Sequence, residues 1–270
     1  MSDERDGRQI QHIEERSTPP TPIIYEVVRR HGSEEMDRPA TSLWWSGIAA
    51  GLSISFSLLA EGILRLHLPH APWVHLVISL GYPIGFVMVV LARQQLFTEN
   101  TITAVLPVMA ERTARNFGRL ARMWAIVFAA NMVGTLFAAL FCTFTPVSEP
   151  PLRQAMLDIS AEAMRYGWLE AGFRGITSGF LIAAMVWLIP AAESARFYVI
   201  VLMTYLVGVG GFTHIVAGSV GAFLLVAAGQ LGIGHMLTHF TLPVLVGNIV
   251  GGTVLFALLS YAQVMKEIRD

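Results

Sequence analysis

Apolar residues run along the chain in six long blocks, at 43–64, 72–92, 123–146, 175–192, 197–229 and 241–262. About 20 mostly apolar residues cross the hydrocarbon core of a bilayer as one helix. The pattern therefore predicts an all-α integral membrane protein with six transmembrane helices. Two regions break the pattern. In "VVLARQQLFTENTITAVLPVM" (89–109), Arg93, Gln94, Gln95, Thr98, Glu99, Asn100 and Thr101 separate two apolar stretches. Inside the fifth block, "GVGGFTHIVAGS" (208–219) sets Gly208, Gly210, Gly211 and His214 in an otherwise apolar run.

The two breaks belong to a faint repeat. The first block holds Gly47 and Gly51 in "SGIAAGLS", and the fourth holds Gly175 and Gly179 in "RGITSGFL". Each is a face of small residues that lets helices approach closely. The third block contains Asn131 in "NMVG", and the sixth contains Asn248 and Gly251 in "NIVG". Small face, break and asparagine recur in the same order in both halves. Three spans per half place the second half upside down relative to the first, a 3+3 inverted repeat with the broken second and fifth helices meeting near the midplane.

Non-helical backbone cannot face lipid, because each unsatisfied N–H or C=O there costs several kcal/mol. The breaks must therefore point at protein or at a pathway. Thr98 or Asn100 is expected to cap a half-helix beginning near Thr101, and a second half-helix restarts near His214. Two helix starts facing one cavity favour a small anion, since the positive ends of their dipoles converge on it.

Composition and charge sharpen this reading. The chain has 270 residues, of which 54% are hydrophobic and 14% charged, with a net charge of -1. It has no basic patch to neutralise phosphates, which argues against a nucleic-acid partner. Arg5, Arg8, Arg16, Arg29, Arg30 and Arg38 lie before the first span, and Arg112, Arg115, Arg119 and Arg122 in the connection after the second. The positive-inside rule places both segments, and with six spans both termini, in the cytoplasm. The domains are then a polar cytoplasmic leader (1–41), a transmembrane domain (42–265, with repeats at about 42–146 and 172–264) and a cytoplasmic tail (266–270). Within the leader, "TPIIYEVVRRHGSEEMDRPA" suits either an amphipathic helix or a disordered tail. The segment 148–172 suits an outer amphipathic helix packed on the bundle or on a neighbouring protomer.

In "ARQQLFTENTITAVLPVM", "GFTHIVAGSV" and "LPVLVGNIVGG" the sequence resembles the formate/nitrite transporter family, and more closely its YfdC-type branch. The resemblance covers about Asp37 to Gln263. It implies an aquaporin-like protomer, a homopentamer with one pore per protomer, and passage of small monovalent weak-acid anions across a bacterial inner membrane. By motif it implies that Leu96, Phe97 and Thr98 form the loop in the second helix, with Thr98 facing the pore and Phe97 helping to close it. It also makes His214 the central pore histidine, with Tyr82, Phe86 and Val207 at constrictions. The chain departs from the family at Thr213, where an acidic residue is usual before the histidine. It departs again at Gly179 and Gly218, which align with pore asparagines. The basic residue ahead of the fourth helix has Arg165 as its nearest counterpart.

A lone histidine in an apolar helix is usually a packed residue. In a glycine-rich break of a span, however, an ionisable side chain is a functional candidate, and Thr213 and Thr98 are grouped with it. Buried away from carboxylates, His214 is expected to be neutral at rest and able to donate one hydrogen bond to an anion or pass it a proton. Glu99 would repel anions in a pore, so it is expected to pair with Arg93 and, with Asn100, Gly208, Gly210 and Gly211, to shape the breaks. Asn131 and Asn248, like Gly47, Gly51, Gly175, Gly179 and Gly251, are expected to serve helix packing. His235 and His239 share a helical spacing but lack a third ligand, so no metal and no cofactor are expected. No nucleophile or acid/base pair converges in the spans, so an enzyme is not expected. Besides an anion channel, two functions stay open: a channel for small neutral solutes, and a closed-pore scaffold or sensor acting through the leader.

Overall fold

The computed structural model describes residues 19–268, so the part of the leader carrying Arg5, Arg8 and Arg16 lies outside the described residues, as does Arg269. Among the described residues every regular element is helical. We number the helices α1 (Thr21–Asp37), α2 (Ala40–His67), α3 (Val74–Leu91), α4 (Phe97–Thr103), α5 (Val105–Ala110), α6 (Ala114–Phe144), α7 (Pro150–Ala163), α8 (Trp168–Ala191), α9 (Arg196–Val209), α10 (Ile215–Ala227) and α11 (Ile233–Val264).

Five of these helices, α2, α3, α6, α8 and α11, are long and apolar enough to cross a bilayer. The remaining apolar block, 197–229, is divided into α9 and α10 by residues 210–214, and each half is too short to cross alone. The helices bearing Arg115, Arg119 and Arg122 and residues 233–240 extend beyond the expected spans. Those arginines lie on α6, whose N-terminus is capped by Thr113 accepting from the Asn116 amide at 3.2 Å. They are therefore not in a connecting loop. Residues 233–240, ahead of the sixth apolar block, already belong to α11.

The small-residue faces explain how the bundle packs. In the first half α2 lies on α6: a Cβ on Gly51 would sit 2.9 Å from the Gly134 Cα. In the second, α8 lies on α11, and a Cβ on Gly175 would sit 3.3 Å from the Gly247 Cα. Only glycine lets backbones approach this closely. Segment 148–172 yields α7, whose Met156 and Ser160 pack against Gly62 of α2 and Gly221 of α10. Large apolar side chains such as Phe137, Phe141, Phe144, Phe173 and Leu259 are exposed around the bundle, as a lipid or subunit environment requires.

α1 packs on the bundle through Tyr25, Val28 and Met36. A Cβ on Gly32 would overlap the Thr103 carbonyl, so the two backbones are in direct contact. Its polar face carries a local ion-pair cluster, with Glu26 bridging Arg29 and Arg30 at 2.8 and 2.6 Å.

Candidate functional site

Both breaks are built by the same hydrogen bonds. After α3 the chain turns through Arg93, at φ 52, and the Gln94 amide reaches back to the Val89 carbonyl at 3.0 Å. After α9 it turns through Gly211, at φ 61, and the Phe212 amide reaches the Val207 carbonyl at 3.0 Å. Each is a helix end closed by a left-handed residue. One asparagine then repairs each break. Asn131 Oδ1 accepts from the Phe97 amide at 2.9 Å, while its Nδ2 donates to the Gly47 and Gln95 carbonyls, both at 2.9 Å. Asn248 Oδ1 accepts from the Ile215 amide at 2.8 Å, and its Nδ2 donates to the Gly175 and Thr213 carbonyls at 2.9 and 3.0 Å.

These bonds move the first half-helix start. α4 begins at Phe97 with Leu96 as its N-cap, and neither Thr98 nor Asn100 caps it. Glu99 and Asn100 consequently lie in its helical turns rather than in the break, and Phe97 and Thr98 are its first residues rather than loop. The reason is that Asn131, from another helix, satisfies the first amide and makes a local cap unnecessary. In the second break Gly210 and Gly211 do form the turn, whereas Gly208 remains inside α9 and makes room for the Tyr82 ring, whose Cβ lies 2.9 Å from where a glycine Cβ would be. The expected Glu99–Arg93 pair is not formed. Arg93 is exposed at the turn, and Glu99 Oε1 is buried without a hydrogen-bond partner among the described residues.

His214 is the N-cap of α10. Its Nδ1 accepts from the Ala217 amide at 3.1 Å, and its Nε2 lies 2.8 Å from Thr98 Oγ1. An acceptor Nδ1 carries no proton, so a neutral ring holds its proton on Nε2 and donates it to Thr98. A second proton would set Nδ1–H against the Ala217 N–H. The His214 ring also meets the Phe86 ring edge-on at 5.0 Å, and Phe86 stacks obliquely on Tyr82 at 5.3 Å.

A cavity of about 750 Å³ descends to His214 from the end of the bundle that carries α7 and the α2–α3 connection. Tyr82, Val207, Gly208, Gly210, Gly211, Thr213 and Gly218 line it. Leu96, Phe97 and Thr98 line no part of it, and Phe97 instead packs among Trp124 and Phe128. Thr213 commits its hydroxyl to the Ala171 carbonyl at 2.7 Å. Beside Gly218 the Phe240 ring fills the space a side chain would take. Gly179 receives the backbone of Asn248 instead of offering a polar group.

Several charged residues of the site were not anticipated from the sequence. Arg174 donates to the Gly210 and Gly211 carbonyls at 3.2 and 3.3 Å and lies over the Tyr166 ring at 4.0 Å, so it holds the second break from outside. Arg165, the residue the family resemblance pointed to, is exposed at the cavity rim, its guanidinium 5.3 Å from the same ring. Glu61, a lone carboxylate in the apolar run "LLAEGIL", lines the cavity; its presence in a span was a signal that could have found it. Glu35 of α1 accepts from Gln95 Nε2 at 2.7 Å and from Thr103 Oγ1 at 2.9 Å, tying the leader to the first break. Nothing in the polar leader sequence marks it. His235 and His239 stack at 4.0 Å, and no group of three metal-ligating side chains occurs among the described residues.

Glu35 and its neighbour His31, 3.3 Å away, are expected to make leader docking pH-dependent. Burial pushes the Glu35 carboxyl up, but bonds from His31, Gln95 and Thr103 together outweigh it and hold the carboxyl below its ordinary 4.5. The bond to Glu35 holds His31 above its ordinary 6.5, against burial and Arg93. The His31 contribution is complete below pH 6.5 and lost as pH rises through its raised value, while the Glu35 contribution is present above pH 4.5 and lost as pH falls through its lowered value. Amide exchange over residues 21–37, corrected for intrinsic rates, is thus expected to be faster at about pH 8 than at about pH 6. His31→Ala should abolish that difference.

An all-helical bundle whose two broken helices meet beside a cavity is the architecture of a channel or transporter. The chain belongs to the formate/nitrite transporter family: the family model described as formate/nitrite transporter matches residues 22–262. It is 44% identical to "Inner membrane protein YfdC" of Escherichia coli over 98% of this chain and 85% of that protein. It is 29% identical to "Formate channel FocA" of Haemophilus influenzae over 80% of this chain and 84% of that protein. Among solved structures, an "FNT family ion channel" matches with a TM-score of 0.77 at 20% identity, covering 90% of this chain and 98% of that one. A "Pentameric formate channel with formate bound" matches with a TM-score of 0.69 at 20% identity, covering 84% and 98%. At that identity the likeness establishes a shared fold.

Proposed function

We propose that the protein conducts a small monovalent weak-acid anion of the formate or nitrite kind across a bacterial inner membrane, through a pore centred on His214. The observation that carries this reading is the meeting of the two half-helix starts at the Thr98–His214 hydrogen bond, at the inner end of a cavity. The α4 and α10 N-termini bring two positive dipole ends to one point, and the imidazole offers a single proton there. We read the chain as six spans in a 3+3 inverted repeat, supported by the equivalent roles of Asn131 and Asn248. Both termini are placed in the cytoplasm, so the cavity opens outward, and the protomers assemble as a homopentamer like the formate-bound structural relative.

The test is transport by the purified protein in liposomes, read by swelling and internal pH, with formate, nitrite, lactate, hydrosulfide and glycerol. Flux of one or more of the weak acids above that of protein-free liposomes is expected. Flux of glycerol alone would replace this reading with a neutral-solute channel, and no flux with any of them would replace it with a closed or scaffolding role.

A further inference from the structure

The net charge of -1 conceals a local excess of positive charge that only the fold assembles. Arg115, Arg119 and Arg122 follow one another on α6 at i, i+4 and i, i+3 spacing and so share one face of the helix. With Gly118 of α6 and with Met36 and Asp37 at the end of α1, they line a cleft of about 410 Å³. Three arginines against one carboxylate leave that cleft two positive charges. Arg119 is paired with the Asp37 carboxylate. Arg122 donates to the Met36 and Arg38 carbonyls at 2.9 and 3.2 Å, which hold its guanidinium in place without neutralising it. Arg115 is exposed and makes no hydrogen bond or ion pair with any described residue. A Cβ on Gly118 would meet nothing within 4 Å, so no side chain fills the space between the arginines there.

The cleft lies at the height of lipid headgroups. Arg122 is the last charged residue before an uncharged, mostly apolar run that continues to Phe144. The 31 residues of α6 make it about 46 Å long against a hydrocarbon core of about 30 Å, so part of the helix stands outside that core. Arg119 and Arg115 lie about 4.5 and 10.5 Å beyond Arg122 along the axis, within the headgroup layer and at its aqueous edge. Trp45, exposed near the start of the neighbouring α2, marks the same boundary as an interfacial aromatic.

We propose that this cleft binds the phosphate of an anionic phospholipid headgroup, with Arg115 and Arg122 as its donors. Guanidinium groups match phosphate oxygens in pairs, and basic pockets between helices at the membrane boundary suit such headgroups. A zwitterionic headgroup offers the same phosphate without net charge, so the excess positive charge selects the anionic lipid. The bound phosphate joins the end of α1 to α6, because Asp37 and the Met36 carbonyl already meet the same arginines. Such binding is independent of what the pore conducts.

The experiment titrates the purified full chain in detergent with phosphatidylglycerol or phosphatidylcholine of the same acyl chains and reads bound lipid by native mass spectrometry. Phosphatidylglycerol is expected to bind more tightly than phosphatidylcholine. Arg115→Gln, at an exposed position, should weaken phosphatidylglycerol about fivefold, the factor one basic residue contributes beside an anionic lipid. Asp37→Asn, which removes the one carboxylate of the cleft, should strengthen it. Lys266→Gln removes an exposed positive charge beyond α11, away from the cleft, and should leave the affinity within about twofold of wild type. Equal affinity for the two lipids would overturn the proposal. So would an equal loss in Lys266→Gln and Arg115→Gln, which would mean diffuse attraction in place of a site. Displacement of phosphatidylglycerol by an equal concentration of inorganic phosphate would reassign the cleft to a free phosphate and overturn the lipid.

Discussion

Asn131→Ala is expected to destabilise the protein by roughly 2–5 kcal/mol, because it leaves two buried backbone groups without partners. Those groups are the Phe97 amide and the Gln95 carbonyl, the helical Gly47 carbonyl loses only a second donor, and Asn131 itself is fully buried. No water can replace the side chain inside a packed membrane bundle, so the loss approaches the cost of the unpaired groups. Asn248→Ala should cost a similar amount, since it strips the Ile215 amide and the Thr213 carbonyl in the same way and takes a second donor from the helical Gly175 carbonyl. Asn131→Asp should be at least as damaging, because a carboxylate oxygen would then face two carbonyl oxygens. Unfolding in detergent, by heat or denaturant, measures all three. A loss below about 1 kcal/mol in either alanine variant would mean the breaks are held by something other than these bonds.

The second large effect is on transport. His214→Ala should lower weak-acid flux about a hundredfold or more, the lower end of what one positioned proton-exchanging group contributes. The alanine variant also loses an N-cap worth about 1 kcal/mol, so its fold needs a control. His214→Asn provides it, because asparagine is a good N-cap and can still accept from the Ala217 amide, yet it offers no exchangeable imidazole proton. Thermal stability should therefore be recovered in His214→Asn while flux stays low. Flux within about twofold of wild type in both variants would show that the permeant does not depend on the imidazole.

The residues that recur as a pattern were legible in the sequence. Gly47 and Gly51, Gly175 and Gly179, and the two asparagines stand out because close helix contact and backbone repair each admit few residue types. The uninterrupted apolar blocks likewise predicted helices at membrane length. The registers of the breaks were not legible. Leu96 and His214 occupy equivalent N-cap positions, yet one is apolar and the other ionisable, so no alignment of side-chain character relates them. Equally hidden were Glu35 and Arg174, whose partners lie 60 residues and 36 residues away along the chain.

The sequence by itself determined that this is a helical membrane protein with two breaks in its apolar runs and a histidine in one of them. Hydrophobic length and the cost of unpaired backbone in lipid leave no other arrangement for such a chain. Only the tertiary structure decided where each half-helix begins, which nitrogen of His214 holds the proton, and that Glu61 lines the outer cavity. Each of these depends on groups brought together from distant segments: Asn131 on Phe97, Thr98 on His214, and Glu162 of α7 paired with Arg65 of α2 beside the cavity. Periodicity records which face of a helix is apolar, whereas hydrogen bonds and ion pairs between helices depend on packing that periodicity does not encode.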